Sequence, residues 1–96
     1  MTKPTNIFGK YNTTELWGVF TKEKASGKWD HETSFDNEND AQSEADDYRH
    51  GYRELSRVRV LRYVCRNAID DLAKISTLID LLNSGFNEAR IMEVMK

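Results

Sequence analysis

Residues 57–66 read Arg57-Val58-Arg59-Val60-Leu61-Arg62-Tyr63-Val64-Cys65-Arg66. The β-branched and aromatic side chains mark a strand. Val58, Val60 and Val64 share one parity, while Arg57, Arg59, Leu61, Tyr63 and Cys65 share the other. Arg62 interrupts the apolar side, and either a bulge near Leu61 or a strand end would resolve the interruption. Whatever this strand pairs with sets the fold.

Upstream, residues 38–55 switch to helical spacing. Ala41, Ala45, Tyr48, Tyr52 and Leu55 are separated by four, three, four and three positions, one continuous stripe. Asp36 or Asn37 can cap this helix. Glu38 and Asp40 open it and Arg49 and Arg53 end it, as the helix dipole favours. Before it, residues 29–35 alternate, with Trp29, His31, Thr33 and Phe35 on one face and Asp30, Glu32 and Ser34 on the other. Residues 15–22 carry apolar groups on both parities, Leu16 and Phe20 against Trp17 and Val19, which suits a strand covered on both sides, or one covered on one side with an aromatic exposed. Gly27 marks a turn between the two, so they form a hairpin.

Downstream, Asn67 caps a helix over 68–84, with Asp70 placed as in a capping box. Gly85 closes that helix, and Asn87 starts a short one bearing Ile91, Met92, Val94 and Met95. The order is β-β-α-β-α-α. The expected fold is α+β, a three-stranded antiparallel sheet with the first helix on one face, followed by a C-terminal helical pair over 68–95. Residues 1–13 form a flexible lead-in from which Ile7, Phe8 and Tyr11 can dock, and 14–96 make one domain. Doubled apolar positions at 78/79 and 81/82 broaden the stripe of helix 68–84. That helix must lie on the other sheet face, pair with the last helix, or pair with a second copy, so a homodimer through 68–84 stays open.

With 96 residues, 39% hydrophobic and 31% charged, the chain has a thin core under a charged skin. Cys65 is the only cysteine, so no intrachain disulfide forms. No stretch approaches the roughly 18–20 apolar residues of a membrane span. Both features point to the cytoplasm. Reactive constellations are missing from the sequence. His31 and His50 are far apart, Cys65 reads as a small buried hydrophobe, and Asp46–Asp47 and Asp70–Asp71 are helical neighbours that do not face each other. The glycines match no phosphate loop. The chain is therefore expected to be no enzyme and to need no metal or cofactor.

Charge is unevenly distributed. From Asp30 to Asp47 there are eight acids and no lysine or arginine, and from Arg49 to Arg66 six arginines and one acid, Glu54. Dipole complementarity explains part of this. A functional reading makes Asp36, Glu38, Asp40, Glu44 and Asp47 an imitation of a phosphate backbone. Such a surface would fill an arginine/lysine groove on a nucleic-acid-handling protein. The alternative is a nucleic-acid-binding regulator. Arg57 and Arg59 would then contact phosphate, and Tyr63 beyond them would offer a stacking ring. A sequence pI of about 5.6 weighs against that alternative. Arginine with tyrosine equally suits a protein interface. A third reading is a structural homodimer.

The stretch Trp17-Gly18-Val19-Phe20, then Gly27-Lys28-Trp29 and Phe35, an acidic helix bearing Ala41 and Ala45, and Arg57-Val58-Arg59-Val60 resembles short viral accessory proteins of phages and prophages. The resemblance covers about half the chain. It implies an anti-defence inhibitor, of the kind that includes anti-CRISPR proteins, acting by protein binding or as a DNA mimic. The C-terminal helical pair has no counterpart in that pattern.

Overall fold

The computed structural model describes residues 13–95. The strands are β1 (Thr14–Glu23), β2 (Trp29–Phe35) and β3 (Leu55–Cys65), and the helices α1 (Glu38–Gly51), α2 (Ala68–Asn83) and α3 (Glu88–Val94). The α+β class and the element order are those read from the sequence. The lead-in at 1–12, with Ile7, Phe8 and Tyr11, lies outside the described residues.

The sheet is antiparallel in the order β2-β1-β3. β1 is central, which is why both of its parities are apolar. α1 covers one face, where Ala41 and Ala45 meet Val19, with Trp17, Phe35, Tyr48, Val58 and Val60 packed around them. The alanines let the helix backbone come close to the sheet. α2 and α3 cover the other face. There Leu78, Leu82 and Ile91 pack on Leu16, Phe20, Trp29, Leu61, Tyr63 and Cys65.

Double coverage also answers the puzzle of β3. Its two parities serve two cores, and its pairing with β1 runs without a bulge at Leu61. Arg62 stands on the α1 face opposite Trp17 and forms an ion pair with Glu15 of β1.

β2 departs from expectation. Val19 pairs with Thr33 but the next residue, Phe20, pairs with His31, so Glu32 is an extra residue in the strand. Such a bulge shifts the alternation by one. Trp29 and His31 therefore lie on the α2 face, while Thr33 and Phe35 lie on the α1 face. Glu32 is held in place by its carboxylate, which accepts from the Thr21 hydroxyl at 2.7 Å and the Tyr48 hydroxyl at 3.4 Å.

Each helix starts on an asparagine. Asn37, Asn67 and Asn87 accept the N–H of Asp40, Asp70 and Arg90. Asn37, not Asp36, thus caps α1. The Asp70 carboxylate reaches the N–H of Arg66, one residue before the cap that a capping box would use. α1 ends at Gly51, short of the expected 55, because Leu55 already belongs to β3. Gly85 closes α2 at φ +88°, and the N–H groups of Gly85 and Phe86 bond the carbonyls of Leu82 and Leu81. This is a Schellman ending, and only glycine takes that φ without strain. The broad stripe of α2 is mostly satisfied within the chain, by the sheet and by α3. Ile69 and Leu72 are its uncovered members, 81% and 69% exposed. No helix among the described residues is long and apolar enough to cross a membrane.

Candidate functional site

The bulge at Glu32 turns His31 toward the α2 face and so creates a hydrogen-bonded chain that periodicity alone does not reveal. His31 Nε2 lies 2.8 Å from Ser34 Oγ, Ser34 Oγ 2.7 Å from the Tyr63 hydroxyl, and that hydroxyl 2.6 Å from Asp71 Oδ1. The Asp71 carboxylate accepts, so Tyr63 gives its one proton there. Ser34 must then donate to Tyr63, and His31 Nε2–H must donate to Ser34. In this arrangement His31 cannot accept the Ser34 proton, so Ser34 is not an activated nucleophile of the serine–histidine kind. Burial lowers the His31 pKa, opposed by Asp71, the Thr33 backbone, Asp30 and Glu32. Burial also raises the Tyr63 pKa, with the bond to Asp71 adding to it.

Cys65 lies beside this chain, fully buried. Burial, with the carboxylates of Asp71 and Asp70 adding and Lys74 opposing, pushes its thiol up to about 11. It stays a thiol at neutral pH and is a poor nucleophile. Among the described residues no group of three histidine, cysteine or acidic side chains is placed to hold a metal ion.

The carboxylates picked out from the sequence do not form one cluster. Arg49 reaches from α1 to the Val58 carbonyl at 3.1 Å, so its flank of the helix faces β3. Asp40, Glu44 and Asp47, spaced four and three, share the opposite flank, toward β2. Tyr48 stands between this flank and Glu32 and donates to Glu32. Its pKa is raised by burial and by the carboxylates of Glu32 and Glu44. Glu38 falls instead on the Arg49 side. Asp36 precedes the cap and accepts from Asn37 Nδ2 at 3.3 Å. Among the described residues, Arg49 pairs with Asp46 at 2.9 Å, while Asp40, Glu44 and Asp47 have no ion pair.

The basic set is also divided. Arg57 and Arg59 project from the first half of β3 on the α2 face, and the Arg59 guanidinium lies 6.0 Å from the centre of the Trp29 ring. Tyr63 does not join them as a stacking ring. It is 2% exposed, and its hydroxyl is committed to Asp71. A groove of about 470 Å³ follows the outer edge of β3 beside Arg49, Tyr52, Arg57, Arg59 and Val60. The two charge signs thus occupy opposite flanks, carboxylates toward β2 and arginines along β3. The linear charge pattern foretells the separation but not which edge receives which sign.

No family model matches this chain, and no curated protein or solved structure is significantly similar to it.

Proposed function

We propose that this is a non-catalytic binding domain, a phage-type inhibitor that blocks a host nucleic-acid-handling or defence complex by offering carboxylates where a phosphate backbone would lie. The observation that carries this reading is the flank of Asp40, Glu44 and Asp47, which has no ion pair among the described residues and has Glu32 beyond Tyr48. Single-sign charge on a rigid helix steers association with a basic groove and makes it fast and sensitive to salt. The anti-CRISPR-like resemblance supports an inhibitor of this class, acting in the host cytoplasm without cofactor or metal.

The competing reading, nucleic-acid binding through Arg57, Arg59 and Tyr63, loses its stacking ring to the core and has one guanidinium occupied by Trp29. A mobility-shift assay at low salt with mixed duplex DNA and RNA separates the two. The inhibitor reading expects free nucleic acid throughout the titration. A tight, salt-sensitive shift would overturn it in favour of the arginine strand.

A further inference from the structure

The outer edge of β3 has two plugged positions with two open ones between them. Arg49 Nη2 donates to the Val58 carbonyl at 3.1 Å, and Lys74 Nζ donates to the Val64 carbonyl at 2.6 Å. In an antiparallel strand the backbone groups of alternate residues point to the same side. Val60 and Arg62 therefore also face outward, and among the described residues their N–H and C=O groups have no strand beside them. The other edge of the sheet is better closed. The N–H of Trp29 is taken by Asn83 of α2 at 2.8 Å, and that of His31 by the Asp30 side chain at 2.8 Å. Plugging edge groups with side chains is how sheets resist indiscriminate pairing. One stretch of one edge is left receptive.

We infer that this stretch of β3 takes an extended acidic segment of another protein as a fourth strand, hydrogen-bonded at Val60 and Arg62. Val58 to Val64 spans about 20 Å, enough for a short strand. Side chains of an added strand would alternate between two different surroundings. On the α2 face they would meet Arg57, and on the α1 face Tyr52 and Val60, which line the same groove. Tyr52 is 49% exposed, its ring centre 4.9 Å from that of Tyr48. The complementary segment therefore alternates acidic and apolar residues. A second copy is a poor occupant, because pairing Val60 with Arg62 of that copy brings Val58 against Val64 and so sets the Arg49 and Lys74 plugs against each other, and the β2 edge is plugged. Residues 1–12 of the chain contain two lysines and no acid, so they lack the matching charge. The inference concerns the flank opposite the carboxylates and stands or falls independently of the proposed function.

The test uses the full chain and a fluorescein-labelled peptide of alternating glutamate and valine, about nine residues long, read by anisotropy and by amide exchange. Saturable binding is expected, with slowed exchange at Val60 and Arg62. A lysine–valine peptide should bind at least about tenfold more weakly, and Arg57→Glu should weaken the glutamate peptide by about tenfold. N-methylation of alternate peptide amides should abolish binding, since the ladder bonds go with them. Equal binding of the lysine or N-methylated peptide, or protection elsewhere on the sheet, overturns the inference. Concentration-dependent protection of Val60 and Arg62 without peptide overturns it in favour of a second copy.

Discussion

Tyr63 of β3 donates its hydroxyl proton to Asp71 of α2 across 2.6 Å, fastening the end of the sheet to the first turn of the helix. Tyr63→Phe keeps the buried ring but leaves Asp71 without this donor and Ser34 without this acceptor. Stranding partly buried polar groups costs about 1–3 kcal/mol, measurable as a lower urea midpoint. Asp71→Asn retains an acceptor oxygen and should cost less. Equal costs would mean that the carboxylate charge, and not the hydrogen bond, holds the joint.

The pH dependence of stability should carry a His31 component. Its pKa is lowered from 6.5 by burial, so below pH 6.5 the unfolded chain binds the proton more readily. The contribution is complete above 6.5 and is lost as pH falls through the lower folded value. His31→Gln keeps an N–H for Ser34 and removes the titration. Urea midpoints between pH 7.5 and about 5 should fall less steeply for the variant than for the parent. Identical slopes would contradict the burial of His31 in its neutral form.

Glu32 should tolerate removal about as well as replacement, because no residue of β1 pairs with it. Glu32→Ala loses the bonds from Thr21 and Tyr48, at a cost of about 1 kcal/mol each at most. Deleting Glu32 loses the same bonds, but it makes the Val19–Thr33 and Phe20–His31 pairs consecutive and leaves Trp29 and Phe35 in their separate cores. Circular dichroism should show a cooperative thermal transition for the substitution and for the deletion alike. Loss of the transition on deletion alone would show that the bulge itself is needed for the fold.

Two glycines should respond in opposite directions. A methyl group at Gly18 would sit 2.7 Å from Cε1 of Phe20, whose ring is fully buried and cannot retreat. Gly18→Ala should destabilise by about 1–3 kcal/mol. Gly51, at the end of α1, has open space around it and an ordinary backbone. Gly51→Ala should stabilise by about 0.4–1 kcal/mol. Thermal melts of the two variants check both signs.

Local chemistry made the element order legible. The asparagine caps, Gly27, Gly85 and the double parity of residues 15–22 each act within a few residues. Arg62 was legible only as a problem, because its answer is Glu15 on another strand. The bulge at Glu32 was not legible at all. The alternation of Trp29, His31, Thr33 and Phe35 is regular in the sequence, and the groups that hold the extra residue, Thr21 and Tyr48, are distant in it. Tyr63 was misassigned to the surface for the same reason, since the side chains that bury it, Leu78, Leu82 and Ile91 among them, are distant in the sequence. The acidic and basic runs announced two surfaces, but helix phase then divided the acids, keeping Asp40, Glu44 and Asp47 together and sending Glu38 to the other flank.

The central claim is that the carboxylate flank of α1 occupies a groove built for nucleic acid. The most direct measurement captures host proteins on the immobilised chain and challenges them with duplex DNA. It is run in parallel with a D40N/E44Q/D47N variant whose fold is checked by circular dichroism. The account predicts a captured nucleic-acid-binding protein that duplex DNA and salt displace from the parent and that the folded variant does not retain. Capture that DNA leaves untouched, or that the variant retains in full, would contradict it.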